Sequence, residues 1–236
     1  SMSLSRRIRY LRKYLSDKAA FIKAGGVISH NYPIYDDFKK QAGTASGHYF
    51  HQDLLVATFI NRANPARHVD VGSSIEGFVA HVASFREIDV IDIRPLQKIG
   101  HNQIRFMQGN LMEMDPSLVG ICDSLSCLHA LEHFGLGRYG DPIDPMGHLK
   151  GFNNLNKMLK GGGTLYISFP IGKSGVHFNA HRVFDPTEIM EWSKGMFELV
   201  RFDYVDDAGN VHCNASLLPP PALTYGCGIY TLKKIN

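Results

Sequence analysis

The segment Arg67-His68-Val69-Asp70-Val71-Gly72-Ser73-Ser74-Ile75-Glu76-Gly77-Phe78 constrains the fold more than any other. A short apolar run ends on a carboxylate, passes through small residues and enters a helix-compatible stretch. Small residues at such a turn let the backbone come close to a nucleotide-like ligand at the carboxyl end of a parallel strand. The segment therefore predicts one strand-turn-helix unit of an open α/β sheet.

The remainder repeats that alternation. Strands are expected at 69–71, 88–93, 104–108, from Ser124 onward and at 164–169, with helices over 75–84, 146–159 and 186–192. Two late strands follow at 197–205 and 228–233. The pattern predicts an α/β, Rossmann-like, doubly wound, mostly parallel seven-stranded sheet with an antiparallel C-terminal edge strand. Lys160-Gly161-Gly162-Gly163 reads as a turn before the fifth strand. Residues 50–62 read as an amphipathic helix with Leu54, Leu55, Phe59 and Ile60 inward. Ahead of them, residues 1–49 read as an N-terminal basic helix (Arg6, Arg7, Arg9, Arg12, Lys13, Lys18, Lys23) and an irregular cap segment. Residues 50–236 then form one domain.

A chain of 236 residues that is 44% hydrophobic and 20% charged has enough apolar material for one large core. The net charge is only +3. Basic residues concentrate in the N-terminal helix and no nucleic-acid module is recognisable, so no nucleic-acid partner is expected. No apolar run reaches the roughly 20 residues of a bilayer span. No secretory leader is visible either. Cys122, Cys127, Cys213 and Cys227 make no C-x-x-C pair. A cytoplasmic chain with reduced thiols is the expectation.

The second strand closes on Asp92, 22 residues after Asp70, where a carboxylate accepts hydrogen bonds from two ribose hydroxyls. Nicotinamide dinucleotides and S-adenosylmethionine both carry such a ribose. Charge separates them. A pyrophosphate prefers a helix N-terminus free of negative charge. Here Glu76 occupies the first turn, and no Lys or Arg occurs from Val69 through Phe85. Glu76 suits the ammonium and sulfonium of S-adenosylmethionine; stabilisation of the helix dipole explains it equally well. Asn110 is placed to read an adenine amino group, with Leu111 packing on the ring.

Taken in order, these pieces resemble class I S-adenosylmethionine-dependent methyltransferases. The matching features are a D-x-G-x-G-like turn at Asp70–Ser74, acidic Asp92, Asn110, Glu132-His133 after the fourth strand and Leu159-Lys160-Gly161-Gly162-Gly163 before the fifth. Residues 47–54, 130–142 and 178–184 resemble a bacterial methyltransferase-like family associated with surface-polysaccharide genes. The resemblance covers roughly residues 50–236. It implies S-adenosylmethionine as cofactor, contacted by Asp70, Gly72, Ser74, Glu76, Gly77, Asp92, Asn110, Leu111 and His129. It also implies O-methylation of a small-molecule or sugar-like acceptor. Ser74 and Glu76 stand where that family has glycines, and Asn110 where aspartate is commoner. Two alternatives follow from the same residues. One is a nicotinamide-dependent oxidoreductase or epimerase, which predicts a parallel sixth strand. The other is a non-catalytic binding module.

An oxygen acceptor loses a proton as it is methylated, and histidine is the usual base near neutral pH. His133 and His181 are the candidates; a structural contact with the neighbouring helix is the other reading of His133. The connection 134–145 is long for a strand-to-helix loop and so a candidate for acceptor recognition. His48, His51, Arg138, Tyr139, Asp141 and Arg182 are the acceptor-binding candidates. No metal site is expected, because His129, His133, Asp141 and Asp144 lack a diagnostic ligand spacing.

Overall fold

A computed structural model describes residues 4–35 and 37–236. Ser1–Ser3, Asp36 and the Arg6 and Phe38 side chains, which fall within the expected N-terminal segment, lie outside the described set. The chain divides into two compact units, Ser1–Ala45 and Ser46–Asn236. The first carries helix α1 (Leu4–Lys23), whose Ile8, Leu11 and Leu15 are exposed. Within this unit Tyr14 donates to the Asn31 side chain at 3.2 Å and meets Tyr35 edge-on.

The second unit opens with α2 (His48–Ala63). Strands β1 (His68–Val71), β2 (Ile88–Asp92), β3 (Ile104–Gln108), β4 (Cys122–Leu128) and β5 (Leu159–Gly172) alternate with α3 (Ala80–Ala83) and α4 (Gly147–Met158). A small hairpin of β6 (Gly175–His177) and β7 (His181–Val183) precedes α5 (Glu188–Ser193), β8 (Phe197–Val205), β9 (Val211–His212) and β10 (Tyr225–Lys234). The main sheet has eight strands in the order β3-β2-β1-β4-β5-β10-β8-β9. The first five are mutually parallel, while β10 is antiparallel to both β5 and β8. The expected antiparallel edge is present, but the short β9 occupies it. The C-terminal strand lies two positions in from that edge, between β5 and β8, and hydrogen-bonds to each along most of its length.

Each face of the sheet has its own core. Val69, Val71, Leu125, Ile167 and Phe169 pack with Phe152, Leu155 and Met158 of α4. Val90, Leu128 and Ile229 pack with Val56 and Ile60 of α2 and Phe78 and Val82 beyond β1. The α2 stripe is Gln52, Asp53, Val56, Ala57 and Ile60, whereas Leu54 is exposed. Of the expected inward set, Ile60 is buried and Leu55 and Phe59 pack partly buried against this core; Leu54 alone faces out. The sequence Lys160–Gly163 is not a turn: β5 runs through it, with Gly162 at φ 70° and a register shift opposite β4.

A buried polar chain crosses the second face. His68 Nε2 lies 3.1 Å from Ser126 Oγ, and Nδ1 lies 2.8 Å from Ser124 Oγ. Ser126 donates to Asp70 at 2.5 Å. With its proton committed there, Ser126 accepts from His68 Nε2–H, which leaves Nδ1 to accept from Ser124. His68 is therefore neutral. Burial, the largest cause, pushes its pKa down to about 3 from 6.5. The stability this confers is complete above about pH 6.5 and is lost as pH falls towards 3, on the order of 4–5 kcal/mol at the acid end. Asp70 runs oppositely: burial raises it to about 6, so its contribution fades as pH rises from 3.8 through 6. We predict that His68→Gln flattens the fall in thermal midpoint between pH 7 and pH 4, since Asp70 is common to both proteins. Parallel profiles for the two proteins would refute this.

Candidate functional site

The carboxyl ends of β1, β2 and β4 open onto a cleft of about 790 Å³, within the range of small-ligand sites. Gly72 forms its floor at φ 72°, and a Cβ there would come within 2.9 Å of Ala130 Cβ. Only glycine fits both the backbone angle and the space. The turn is held from below. Asp70 accepts from the Ser73 backbone N–H at 3.0 Å and from Ser73 Oγ at 2.6 Å, and Ser73 Oγ accepts from Leu128 N. Asp70 is wholly buried and absent from the cleft lining, so its carboxylate braces the turn.

After the turn, Ser74 Oγ caps the helix by accepting from Gly77 N at 3.1 Å. The first turn, Ile75–Val79, is π-helical, with Val79 N donating to Ser74 O. Ser74, Ile75 and Glu76 line the cleft. Gly77 does not: a Cβ there would collide with the Asp53 carboxylate of α2. Its lack of a side chain serves helix packing.

Asp92 lines the cleft, and Arg94 covers it. Arg94 donates from its backbone N (2.8 Å), Nε (2.9 Å) and Nη2 (2.5 Å) to the Asp92 carboxylate. The Arg94 guanidinium also lies 4.8 Å from the Tyr139 ring centre. Arg94 had no sequence signal beyond its nearness to Asp92. Beside it a narrow apolar slot is lined by Gly72, Asp92, Asn110, Leu111, Met112, Ala130 and Phe134. Asn110 Oδ1 accepts from Met112 N at 3.1 Å, which holds the side chain at the slot.

The far wall carries the histidines. His133 Nδ1 is 2.7 Å from the Ala180 carbonyl. A carbonyl only accepts, so Nδ1 carries the proton and Nε2 is left basic. Burial lowers the His133 pKa, partly opposed by Glu132. His181 lines the same cleft and stacks on His177 with centroids 5.1 Å apart. His129 adopts φ 49°, and its Nδ1 meets Glu132 Oε1 at 2.8 Å. Burial works against a charged His129, but Cys227 and Glu132 outweigh it and the net shift is well upward. His48, at the start of α2, stacks on His129 at 5.3 Å; burial pushes its pKa down to about 4.

Three acceptor candidates are absent from the cleft lining, though Asp141 lines the adjoining slot. His51 does not line the cleft; its ring meets Phe50 edge-on. Asp141 is buried, and its carboxylate accepts from the backbone N–H groups of Gly135, Gly137 and Tyr139. Arg182 is buried and donates to the carbonyls of Glu132, Phe134, Asp144 and Pro145. Both residues shape the loop 134–145. Arg138 and Tyr139 do line the cleft, as do Tyr49, Tyr225 and Glu132, which the sequence reading left out of its list.

The family model matching residues 110–209 is described as Caenorhabditis protein of unknown function, DUF268. That description carries no bacterial surface-polysaccharide association. No curated protein matches the chain by sequence. Among solved structures, the Burkholderia thailandensis 1,6-didemethyltoxoflavin-N1-methyltransferase, with bound 1,6-didemethyltoxoflavin and S-adenosylhomocysteine, is 16% identical at TM-score 0.55 over 100% of this chain and 92% of that one. The N-methyltransferase NodS from Bradyrhizobium japonicum, with S-adenosylhomocysteine, is 11% identical at TM-score 0.52 over 88% and 94%. The cyclase SpnF is 15% identical at TM-score 0.58 over 90% of each chain. Among the described residues, no helix is long and apolar enough to cross a membrane. The fold these structures share with this chain is the Rossmann-like methyltransferase fold.

Proposed function

We propose that this protein is an S-adenosylmethionine-dependent methyltransferase that methylates a hydroxyl of a small, sugar-like acceptor. The observation that carries this reading is the pair of carboxylates, Glu76 and Asp92, that line one cleft together with Gly72. Asp92 suits ribose hydroxyls, and Glu76 suits the ammonium of the methionine tail. The slot at Asn110 and Leu111 suits an adenine ring. The neighbours crystallised with S-adenosylhomocysteine support the cofactor. The antiparallel β10 between β5 and β8 counts against the dinucleotide alternative, which calls for a parallel sixth strand.

In this reading the cofactor supplies an electrophilic methyl group, and the protein positions the acceptor and removes its proton. His133 is the base, with Nδ1 fixed by Ala180 O and Nε2, 3.6 Å from Glu132 Oε1, taking the acceptor proton. Arg138 and Tyr139 hold the acceptor. Calorimetry with S-adenosylmethionine tests the first part: saturable binding is expected, and its absence would sink the reading. His133→Gln is expected to lower turnover about a hundredfold with cofactor affinity intact. Equal loss of binding and turnover would remove His133 from the role of base.

A further inference from the structure

We propose that His48, His129 and Cys227 form a site for a single zinc-class divalent cation, with its fourth position open to the cleft. The three come from α2, the end of β4 and β10, and their ligand atoms all lie within 4.8 Å of one another. Two imidazoles and a thiolate are a donor set that zinc takes readily. Tetrahedral bonds of zinc to nitrogen and sulfur bring such atoms to about 3.3–3.8 Å apart, so small side-chain rotations complete the geometry.

Three further observations point to a ligand. His129 Nε2 is buried and has no hydrogen-bond partner. An orphaned buried nitrogen is costly unless something binds it. Second, His129 Nδ1 is held at 2.8 Å by Glu132, itself buried. A carboxylate behind a histidine fixes the ring and aims the other nitrogen at a metal. Third, His129 sits at φ 49°, a left-handed conformation that non-glycine residues rarely adopt away from functional sites. Cys227 is wholly buried and free, so solvent does not reach its thiol. His48 and His129 also line the cleft, so the fourth position faces it.

Binding replaces the Cys227 thiol proton with the metal–sulfur bond and releases that proton to solvent. The open position then takes a lone pair from an acceptor oxygen, nitrogen or sulfur, or from water. Occupancy of the site is independent of the methyl-transfer reading; its use on an acceptor rests on it.

The test is cobalt(II) titration of the full chain after chelator treatment, followed by zinc competition. One equivalent is expected to bind, with a thiolate-to-cobalt band in the near ultraviolet and tetrahedral bands in the visible, all bleached by zinc. Cys227→Ser should lose the near-ultraviolet band, while Cys213→Ser, at an exposed thiol, should keep it. His48→Gln, at a half-buried helix start, should weaken affinity tenfold or more, and Glu132→Gln about tenfold to a hundredfold. No uptake, or a near-ultraviolet band that survives Cys227→Ser, would overturn the proposal. Should Cys227→Ser not fold, His48→Gln decides it, and wild-type affinity there refutes the site. Cofactor calorimetry on the same preparations reads the methyl-transfer proposal separately.

Discussion

Asp92→Ala is expected to weaken S-adenosylmethionine about 150-fold while leaving the thermal midpoint nearly unchanged. Two hydroxyl hydrogen bonds to a carboxylate contribute about 1.5–3 kcal/mol each. Arg94 already holds both Asp92 oxygens, so part of that gain goes to parting the pair. A net loss of about 3 kcal/mol remains on truncation, and 1.36 kcal/mol is a factor of ten. Stability changes little because the partner that the buried Asp92 leaves behind, Arg94, is about half exposed and turns to solvent. Calorimetry gives the affinity, and a thermal melt gives the control. An Asp92→Ala protein that binds as tightly as wild type would place the ribose elsewhere. Arg94→Met separates the two contributions: freeing the carboxylate is expected to tighten the cofactor, and a marked weakening would make Arg94 a ligand contact in its own right.

Gly135→Ala is expected to cost about 4 kcal/mol of folding stability. Gly135 sits at φ 78°, where a Cβ costs about 1–2 kcal/mol. The added carbon would also run into the Asp144 carbonyl oxygen, a backbone atom that cannot turn aside as a side chain would. Relief requires moving the loop, at about 1–3 kcal/mol. Moving it also strains the bonds from Gly135 N to Asp141 and from Asp144 N to the Gly135 carbonyl. Chemical denaturation measures the loss. Gly140→Ala is the comparison: it has a similar φ of 80° but open space around a Cβ, so its cost should be the smaller one of strain alone. Equal costs at the two positions would show that the contact with Asp144 is not decisive. Because the loop carries Arg138 and Tyr139, Gly135→Ala should also impair acceptor use more than cofactor binding.

The parallel half of the sheet was legible because its signals are local. An apolar run ending on Asp70, a glycine that admits no side chain and a carboxylate ending the next strand each follow from a few neighbouring residues. Other features depend on partners distant in sequence. Nothing near Gly77 says that Asp53 presses against it, so its glycine read as a ligand contact. Asp141 and Arg182 read as acceptor-binding candidates by type, yet the Asp141 carboxylate is taken by backbone N–H groups of the 134–145 loop and Arg182 by carbonyls of that loop and of Glu132. Burial of a charged group is decided by the partners it finds, not by its own chemistry.

The sequence by itself determined the α/β class, the strand-helix alternation and the placement of Gly72, Asp92 and Asn110 at the carboxyl ends of successive strands. Period and turn chemistry carry those features along the chain. Only the tertiary structure decided where β10 lies, what Arg94 covers, and that His48, His129 and Cys227 meet. The last of these depends on β5 pairing with both β4 and β10 and on α2 packing beside them, which brings together residues that no local pattern relates.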